Sequence, residues 1–363
     1  MPRRDLHQRP FDEGTQDKLE LYRDYLCEWL PVFIHSSYKN DLQIFDFFAG
    51  PGVDVNGNHG SPLITCKEVK DALRLNKKQH AKIKVFLNEK DATKFRKLVA
   101  HIEDQKKSIP QVDFITKNDE FHSAFNEWYP RMKGKANLLF LDQNGVQQIT
   151  ESVFKSIVEL PTTDFIFFLS SAIVNRFKLH ADIQRWVPIN KQDFSKITGT
   201  NVHRLLAKNY YHWVPNGLDY FLGSFSIKKG PNVYGLVFGS RHPLGIDKFL
   251  RVAWQRGGDA NFDIDEDGID PTQPSLFPEN DKPSKLKYFE EELESELGKL
   301  RLKTNKDVYL FALKNGMLAA HARDALRLLI SNGKLPKQKL PISYGAWKKI
   351  NSETIKQFNG AGR

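Results

Sequence analysis

The residues best placed to do chemistry are acids at the ends of apolar runs, one of them beside a glycine pair. Asp46 closes the run Leu42 to Phe45 and opens Asp46-Phe47-Phe48-Ala49-Gly50-Pro51-Gly52. Glycines at 50 and 52 let the backbone turn sharply and approach a ligand closely. Asp46, Phe48, Ala49, Gly50 and Gly52 therefore read as a ligand-binding bend. Glu89 follows Phe86-Leu87-Asn88, where a carboxylate can accept hydrogen bonds from both hydroxyls of a ribose. Asp119 follows a third run and can meet an adenine amino group, with Asn118 and Glu120 competing for the role. Asp142 ends the run Leu139 to Leu141 and opens Asp142-Gln143-Asn144-Gly145. Asp142 faces the place of an acceptor, and Asn144 can hydrogen-bond a planar substrate. The chemistry implied is a nucleoside-bearing ligand laid across the strand ends, beside a planar substrate.

These residues need a scaffold that brings strand ends together. The spacing predicts a helix over 14–35 and strands over 42–48, 83–87, 112–116, 137–141 and 164–169. Helices are predicted between them, over 61–76, 92–103, up to Trp128, and near 150–158. Ser61 is expected to cap the first of these, with Pro62 at its first position. Strands alternating with helices imply a mainly parallel α/β sheet whose strand ends line one ligand-binding edge. Residues 177–215 read as a helical insertion. Strand-like runs at 221–228 and 235–239 read as a closing hairpin, followed by a helix-like 243–248 and an apolar 249–254.

The expected organisation is an α/β domain over 1–256, an acidic, proline-rich linker over 257–283 and a basic module over 284–363. The linker carries Asp263, Asp265 and Asp267, half of a calcium-loop pattern, but Pro274 stands where the bidentate Glu would be. In the last module Thr304 and Asp307 form a capping-box pattern, and Leu318 to Ile330 reads as a helix stopped by Asn332-Gly333. A basic hairpin with Pro336 and Pro341 is expected next, giving a winged-helix-like module.

Charge is distributed unevenly. Residues 299–363 hold 14 Lys/Arg against 3 Asp/Glu, while the rest of the chain holds 40 against 41. A basic terminal module on a near-neutral body points to a polyanion, DNA or RNA, with Arg323, Arg327, Lys334, Lys337 and Lys339 as phosphate contacts. Cys27 and Cys66 are the two cysteines, so neither a disulfide scaffold nor a zinc site is expected. No apolar run reaches the roughly 20 residues of a membrane span, and Met1 to Pro10 has no apolar core of a secretory signal. A cytoplasmic location is expected.

The Phe48-x-Gly50-x-Gly52 form resembles motif I of S-adenosylmethionine (SAM)-dependent methyltransferases that modify amines of nucleic acids. More of the chain resembles the bacterial three-Cys-motif partner family. The shared features are the Asp46–Gly52 motif with Gly60-Ser61-Pro62, the Asp142–Gly145 loop, Ser170-Ser171 with Arg176-Phe177, and Gly239 to Gly245 leading into 249–254. The similarity covers about residues 14–265. It implies a Rossmann-like class I methyltransferase sheet, SAM as cofactor, and a partner with three cysteines similar to radical-SAM proteins. Asn144 stands where that family tends to carry an aromatic, and the Pro-Pro-aromatic of the amino-methyltransferase loop is absent. The alternative reading is a catalytically degenerate methyltransferase fold that serves as a scaffold for nucleic acid and partner.

Overall fold

The computed structural model describes residues 10–35, 41–75, 81–143, 147–169, 171–186, 194–195, 197, 205–206, 209–229, 232–256, 284–350 and 352–356. The expected linker, Asn144 and most of the expected insertion beyond 186 lie outside these residues. The chain divides into two compact units, Met1–His242 and Pro243–Arg363.

The first unit is a seven-stranded sheet between helices. Helix α1 (Glu13–Ile34) starts at Asp12, whose carboxylate accepts the Thr15 N–H at 2.9 Å. Five parallel strands follow: β1 (Asp41–Asp46), β2 (Lys82–Asn88), β3 (Val112–Lys117), β4 (Ala136–Leu141) and β5 (Thr163–Leu169). Helices α2 (Ser61–Leu75), α3 (Ala92–Lys106), α4 (Phe121–Met132) and α5 (Glu151–Val158) connect them, and α6 (Ser171–Arg176) and α7 (Ala181–Trp186) follow β5. The sheet closes with the hairpin β6 (Phe221–Lys229) and β7 (Asn232–Ser240). β7 lies between β5 and β6, antiparallel to both.

The strand order is β3-β2-β1-β4-β5-β7-β6. That order, with one reversed strand near the edge, is the Rossmann-like sheet of class I methyltransferases. Burial agrees with it. β4 and β5 are buried at every position and β1 at all but its first, as expected of parallel strands covered on both faces. The chain runs outward from β1 to β3 and then returns to β4. The crevice between β1 and β4 is therefore a topological switch point, where open α/β sheets bind ligands.

Aromatic rings fill one face of this core. Phe45 stacks on Phe86 at 4.4 Å, and Trp128 of α4 packs on Phe47 at 5.4 Å and Phe86 at 5.2 Å. β1 ends at Asp46 rather than at Phe48, because the Asp46 carboxylate takes the Phe48 N–H at 3.1 Å and starts the turn.

The second unit holds α8 (Pro243–Gln255), α9 (Ser284–Gly298), α10 (Asn305–Lys314), α11 (Ala319–Ser331) and α12 (Tyr344–Lys348). α8 is continuous where the sequence suggested a break after Lys248. Its face of Ile246, Phe249, Leu250 and Ala253 is buried, a helical spacing. It belongs to the second unit, although the sequence reading assigns it to the first domain. The expected capping box is formed: Thr304 Oγ1 accepts the Asp307 N–H, and Asp307 accepts the Thr304 N–H at 2.8 Å. Gly316, at φ +70°, turns α10 into α11, and Gly333, at φ +71°, follows its end. The expected basic hairpin is not formed: residues 334–343 contain no strand. Pro336 and Pro341 cannot donate to a ladder, and strand pairing in this unit reduces, among the described residues, to the bridge Thr304–Thr354.

Candidate functional site

At the carboxyl edge of the sheet the glycine bend is built by hydrogen bonds from its neighbours. Gly50 adopts φ +63° and Gly52 φ +94°, values that favour glycine. The Ala49 N–H donates to the Asn88 carbonyl at 3.0 Å, tying the end of β1 to the end of β2. The Gly50 N–H donates to Glu89 Oε2 at 2.9 Å, and Glu89 Oε1 accepts the Asp91 N–H at 2.7 Å. Glu89 thus lies against the bend, as expected. A carboxylate offers about four lone-pair sites, so two backbone donors leave capacity for hydroxyls. The Phe48 ring is half-buried and stacks on Phe121 of α4 at 5.3 Å.

Asp46 is fully buried and accepts the Ser61 hydroxyl at 2.6 Å as well as the Phe48 N–H. Burial pushes its acid up to about 7, despite these hydrogen bonds, and the charges of Asp142 and Glu89 add to the rise. Asp46 therefore sits between the acids of β4 and β2. Ser61 does not cap α2. The Gly60 carbonyl accepts the Ile64 N–H at 3.0 Å, which puts Gly60 at the cap, and the Ser61 hydroxyl turns to Asp46 instead.

Residues 53–60 between the bend and α2 form their own small turn. Asp54 Oδ1 accepts the N–H groups of Asn56 and Asn58, both at 2.8 Å. The Gly60 N–H donates to the Gly52 carbonyl at 2.8 Å, which returns the chain to the bend.

The Asp119 carboxylate is committed to the start of α4. It accepts the Ser123 hydroxyl at 2.5 Å and the Glu120 N–H at 2.8 Å, and pairs with Lys117 at 3.1 Å. The Ser123 hydroxyl first, then Lys117, hold its acid below the usual carboxylate range. Asn118 Nδ2 donates to the carbonyls of Glu89 and Lys90 at 2.7 and 2.9 Å, bracing the loop that carries Glu89.

Asp142, at the end of β4, forms an ion pair with Lys18 of α1. Lys18 also lies 5.0 Å from the centre of the Phe168 ring at the end of β5. Gln143 turns inward and accepts the Gln148 N–H at 3.0 Å. The structure thus brings Asp46, Gly50, Glu89 and Asp142 to one edge, adds Lys18, and gives Asp119 to local structure.

Sequence reasoning missed Lys18 and Asn88, and offered Asn118 only as a rival to Asp119, whereas its side chain braces the Glu89 loop. Asn88 is buried, and its Nδ2 donates to the carbonyls of Phe47 at 3.2 Å and Asp119 at 2.9 Å, joining all three strand ends. The available signal for Lys18 was a lysine in register with Tyr22 and Tyr25, both buried, on one helix face.

In the second unit the five expected phosphate contacts divide. Arg323 donates to the Ile342 carbonyl at 2.8 Å, Arg327 pairs with Asp324 one turn back at 2.7 Å, and Lys334 pairs with Glu294. Lys337 and Lys339 are exposed and have no ion-pair partner among the described residues. Among the described residues no helix is long and apolar enough to cross a membrane, and no cluster of His, Cys, Asp and Glu could hold a metal ion.

Comparison with known proteins bears on both units. A family model described as "GMT-like wHTH domain" matches residues 263–338, which identifies a winged helix-turn-helix region. No curated protein matches the chain. Among solved structures the chain is similar to spermidine synthase from Thermotoga maritima, at 13% identity and TM-score 0.32, with 66% of this chain and 62% of that chain covered. It is similar to Trm1 from Pyrococcus horikoshii in complex with SAM, at 12% identity and TM-score 0.33, with 66% and 59% covered. It is also similar to the O-methyltransferase TomG from Streptomyces achromogenes in complex with SAM, at 10% identity and TM-score 0.32, with 63% and 90% covered. The chain thus spans less than two thirds of the length of the first and second of these proteins. At such identities the fold assignment stands on the strand order and register, and the chain is a methyltransferase-like α/β fold with a winged helix-turn-helix region.

Proposed function

We propose that the chain binds SAM at the bend between β1 and β2 and transfers methyl to an amine of a nucleic acid. The observation that carries the reading is the 2.9 Å hydrogen bond from the Gly50 N–H to Glu89 Oε2. It holds an acid at the end of β2 against the bend at the end of β1, where a carboxylate can accept the hydroxyls of a ribose. The donor set fits a nucleoside. Glu89 keeps lone pairs for hydroxyls, and the buried Asn88 Oδ1, one residue earlier, has no hydrogen-bond partner among the described residues.

When bound, SAM supplies an activated methyl group. The chain's contribution is alignment and exclusion of water, which carry most of such a transfer. Glu89 fixes the sugar. Asp142 accepts an N–H of the target amine, and Asn144 stands two residues on. The second unit, with Lys337 and Lys339 exposed, holds phosphates, and the winged helix-turn-helix match supports that role.

Calorimetry with SAM tests the reading. The wild type is expected to bind, Glu89→Ala to bind at least tenfold more weakly, and Gly50→Val to lose binding while keeping its circular dichroism spectrum. No binding by the wild type, or equal binding by Glu89→Ala, overturns it. Binding without transfer from labelled SAM to bulk tRNA or sheared DNA would instead favour a scaffold built on the same fold.

A further inference from the structure

We propose that Lys18 is a positioning residue for Asp142, a role that rests on the methyl-transfer reading above. The contact is built into how α1 lies on the sheet. Lys18 pairs with Asp142, and Tyr22, one turn later, packs its ring on Phe140 at 4.2 Å. Four helical residues rise about 6 Å and two strand residues about 6.6 Å. The pairs Lys18–Asp142 and Tyr22–Phe140 therefore match in spacing, with α1 running against the direction of β4. Tyr25 continues the stripe and donates its hydroxyl to Asp164 of β5 at 2.7 Å.

Each end of this arrangement is fixed again from the side. The Tyr22 hydroxyl meets Thr65 Oγ1 of α2 at 2.7 Å. Phe168 packs edge-on against Phe140 at 5.7 Å, and its ring lies 5.0 Å from the Lys18 ammonium. Asp142, Lys18, Phe168, Phe140 and Tyr22 thus form one chain of contacts. The Lys18 side chain is 16% exposed and that of Asp142 30%, so this is not a pair of free surface charges.

The ion pair occupies Asp142 Oδ2 and leaves Oδ1 with no hydrogen-bond partner among the described residues. One oxygen is held and the other remains an acceptor. Lys18 fixes the carboxylate so that Oδ1 can take an N–H of the target amine in a set orientation. Without the ammonium the carboxylate can rotate about its last bond, and the bound amine loses its alignment.

The test compares wild type, Lys18→Met and Lys18→Arg, using bulk tRNA and sheared DNA as acceptors and calorimetry with SAM as the control. Lys18→Met is expected to bind SAM within twofold of wild type and to lose about a hundredfold in kcat, the size of a misplaced reacting group. Lys18→Arg should recover most of that loss. A second readout needs no turnover: an exchange-protected lysine ammonium signal in the 15N spectrum, present in wild type and lost in Asp142→Asn. Normal SAM binding with unchanged kcat in Lys18→Met overturns the positioning role alone. So does a wild type that lacks the protected signal, or that binds SAM but transfers methyl to neither probe. No SAM binding by wild type overturns the underlying reading instead.

Discussion

The Ser61 hydroxyl donates to the buried Asp46 carboxylate at 2.6 Å, and this one bond joins the end of β1 to the first turn of α2. Between the two residues lies the whole glycine bend and the turn that follows it. The bend is therefore held at both ends by a group with no access to water.

That bond gives a pH dependence with a definite sign. Burial raises the Asp46 acid to about 7 from an ordinary value of 3.8. Between these values the folded chain keeps a proton that the unfolded chain has lost. Stability must then fall as pH rises from about 4 to about 7, with a limiting slope of about 1.4 kcal/mol per pH unit for this group. Asp164, raised by burial to about 6, adds a slope of the same sign. In urea unfolding at several pH values, Asp46→Asn is expected to show a shallower decline than wild type across this window. Identical slopes would mean that Asp46 is already ionised in the folded chain.

Much of this was legible in the sequence, and the failures are informative. Mostly apolar runs marked β1, β2, β4 and β5, because parallel strands buried on both faces need no strict alternation. The bend at Gly50 and Gly52 and the strand-end acids Asp46, Glu89 and Asp142 followed from position alone. Lys18 was legible only as a lysine on the helix face of Tyr22 and Tyr25, because nothing local says that α1 crosses the end of β4. Asp119 looked like a ligand group, but its neighbours Lys117 and Ser123 claim its carboxylate. Arg323 looked like a phosphate contact for the opposite reason, since its carbonyl partner Ile342 lies 19 residues away. The bacterial three-Cys-motif partner rests on the family resemblance alone.

Gly239 tests the closing hairpin. It faces Phe165 across the β5–β7 pair, and a Cβ at 239 would stand 2.2 Å from the Phe165 ring. The ring is fully buried and packed against Phe154 at 5.8 Å, so it cannot swing aside cheaply. Gly239→Ala should cost about 3 kcal/mol or more in urea unfolding, the upper range of overpacking. Phe165→Leu in the same chain should recover part of it. Additive losses in the double variant would show that the clash is not the cause.

Gly52 tests the bend itself. At φ +94° an alanine is strained in any surroundings, and its Cβ would also lie 3.1 Å from His101 Nδ1. That nitrogen sits 2.9 Å from the Pro51 carbonyl. Gly52→Ala is expected to cost about 1–3 kcal/mol. Removing the imidazole with His101→Ala should relieve only the contact, leaving the backbone strain. A thermal melt of the double variant that matches wild type would place the whole penalty on the contact.

The basic module gives the last test, because its charges are not equivalent. Lys337 and Lys339 are exposed without ion pairs among the described residues, whereas Arg323 anchors the Ile342 carbonyl at 2.8 Å. Changing Lys337 and Lys339 together to Ala should leave the melting temperature unchanged. It should weaken binding to a mixed-sequence DNA duplex and lower the slope of log affinity against log salt by about 2, roughly one per lost phosphate contact. Arg323→Ala should do the reverse, lowering the melting temperature first, because a partly buried carbonyl loses its donor. Fluorescence anisotropy over roughly 50–200 mM salt separates the two. An unchanged slope in the double lysine variant would mean that the polymer is held elsewhere on the chain.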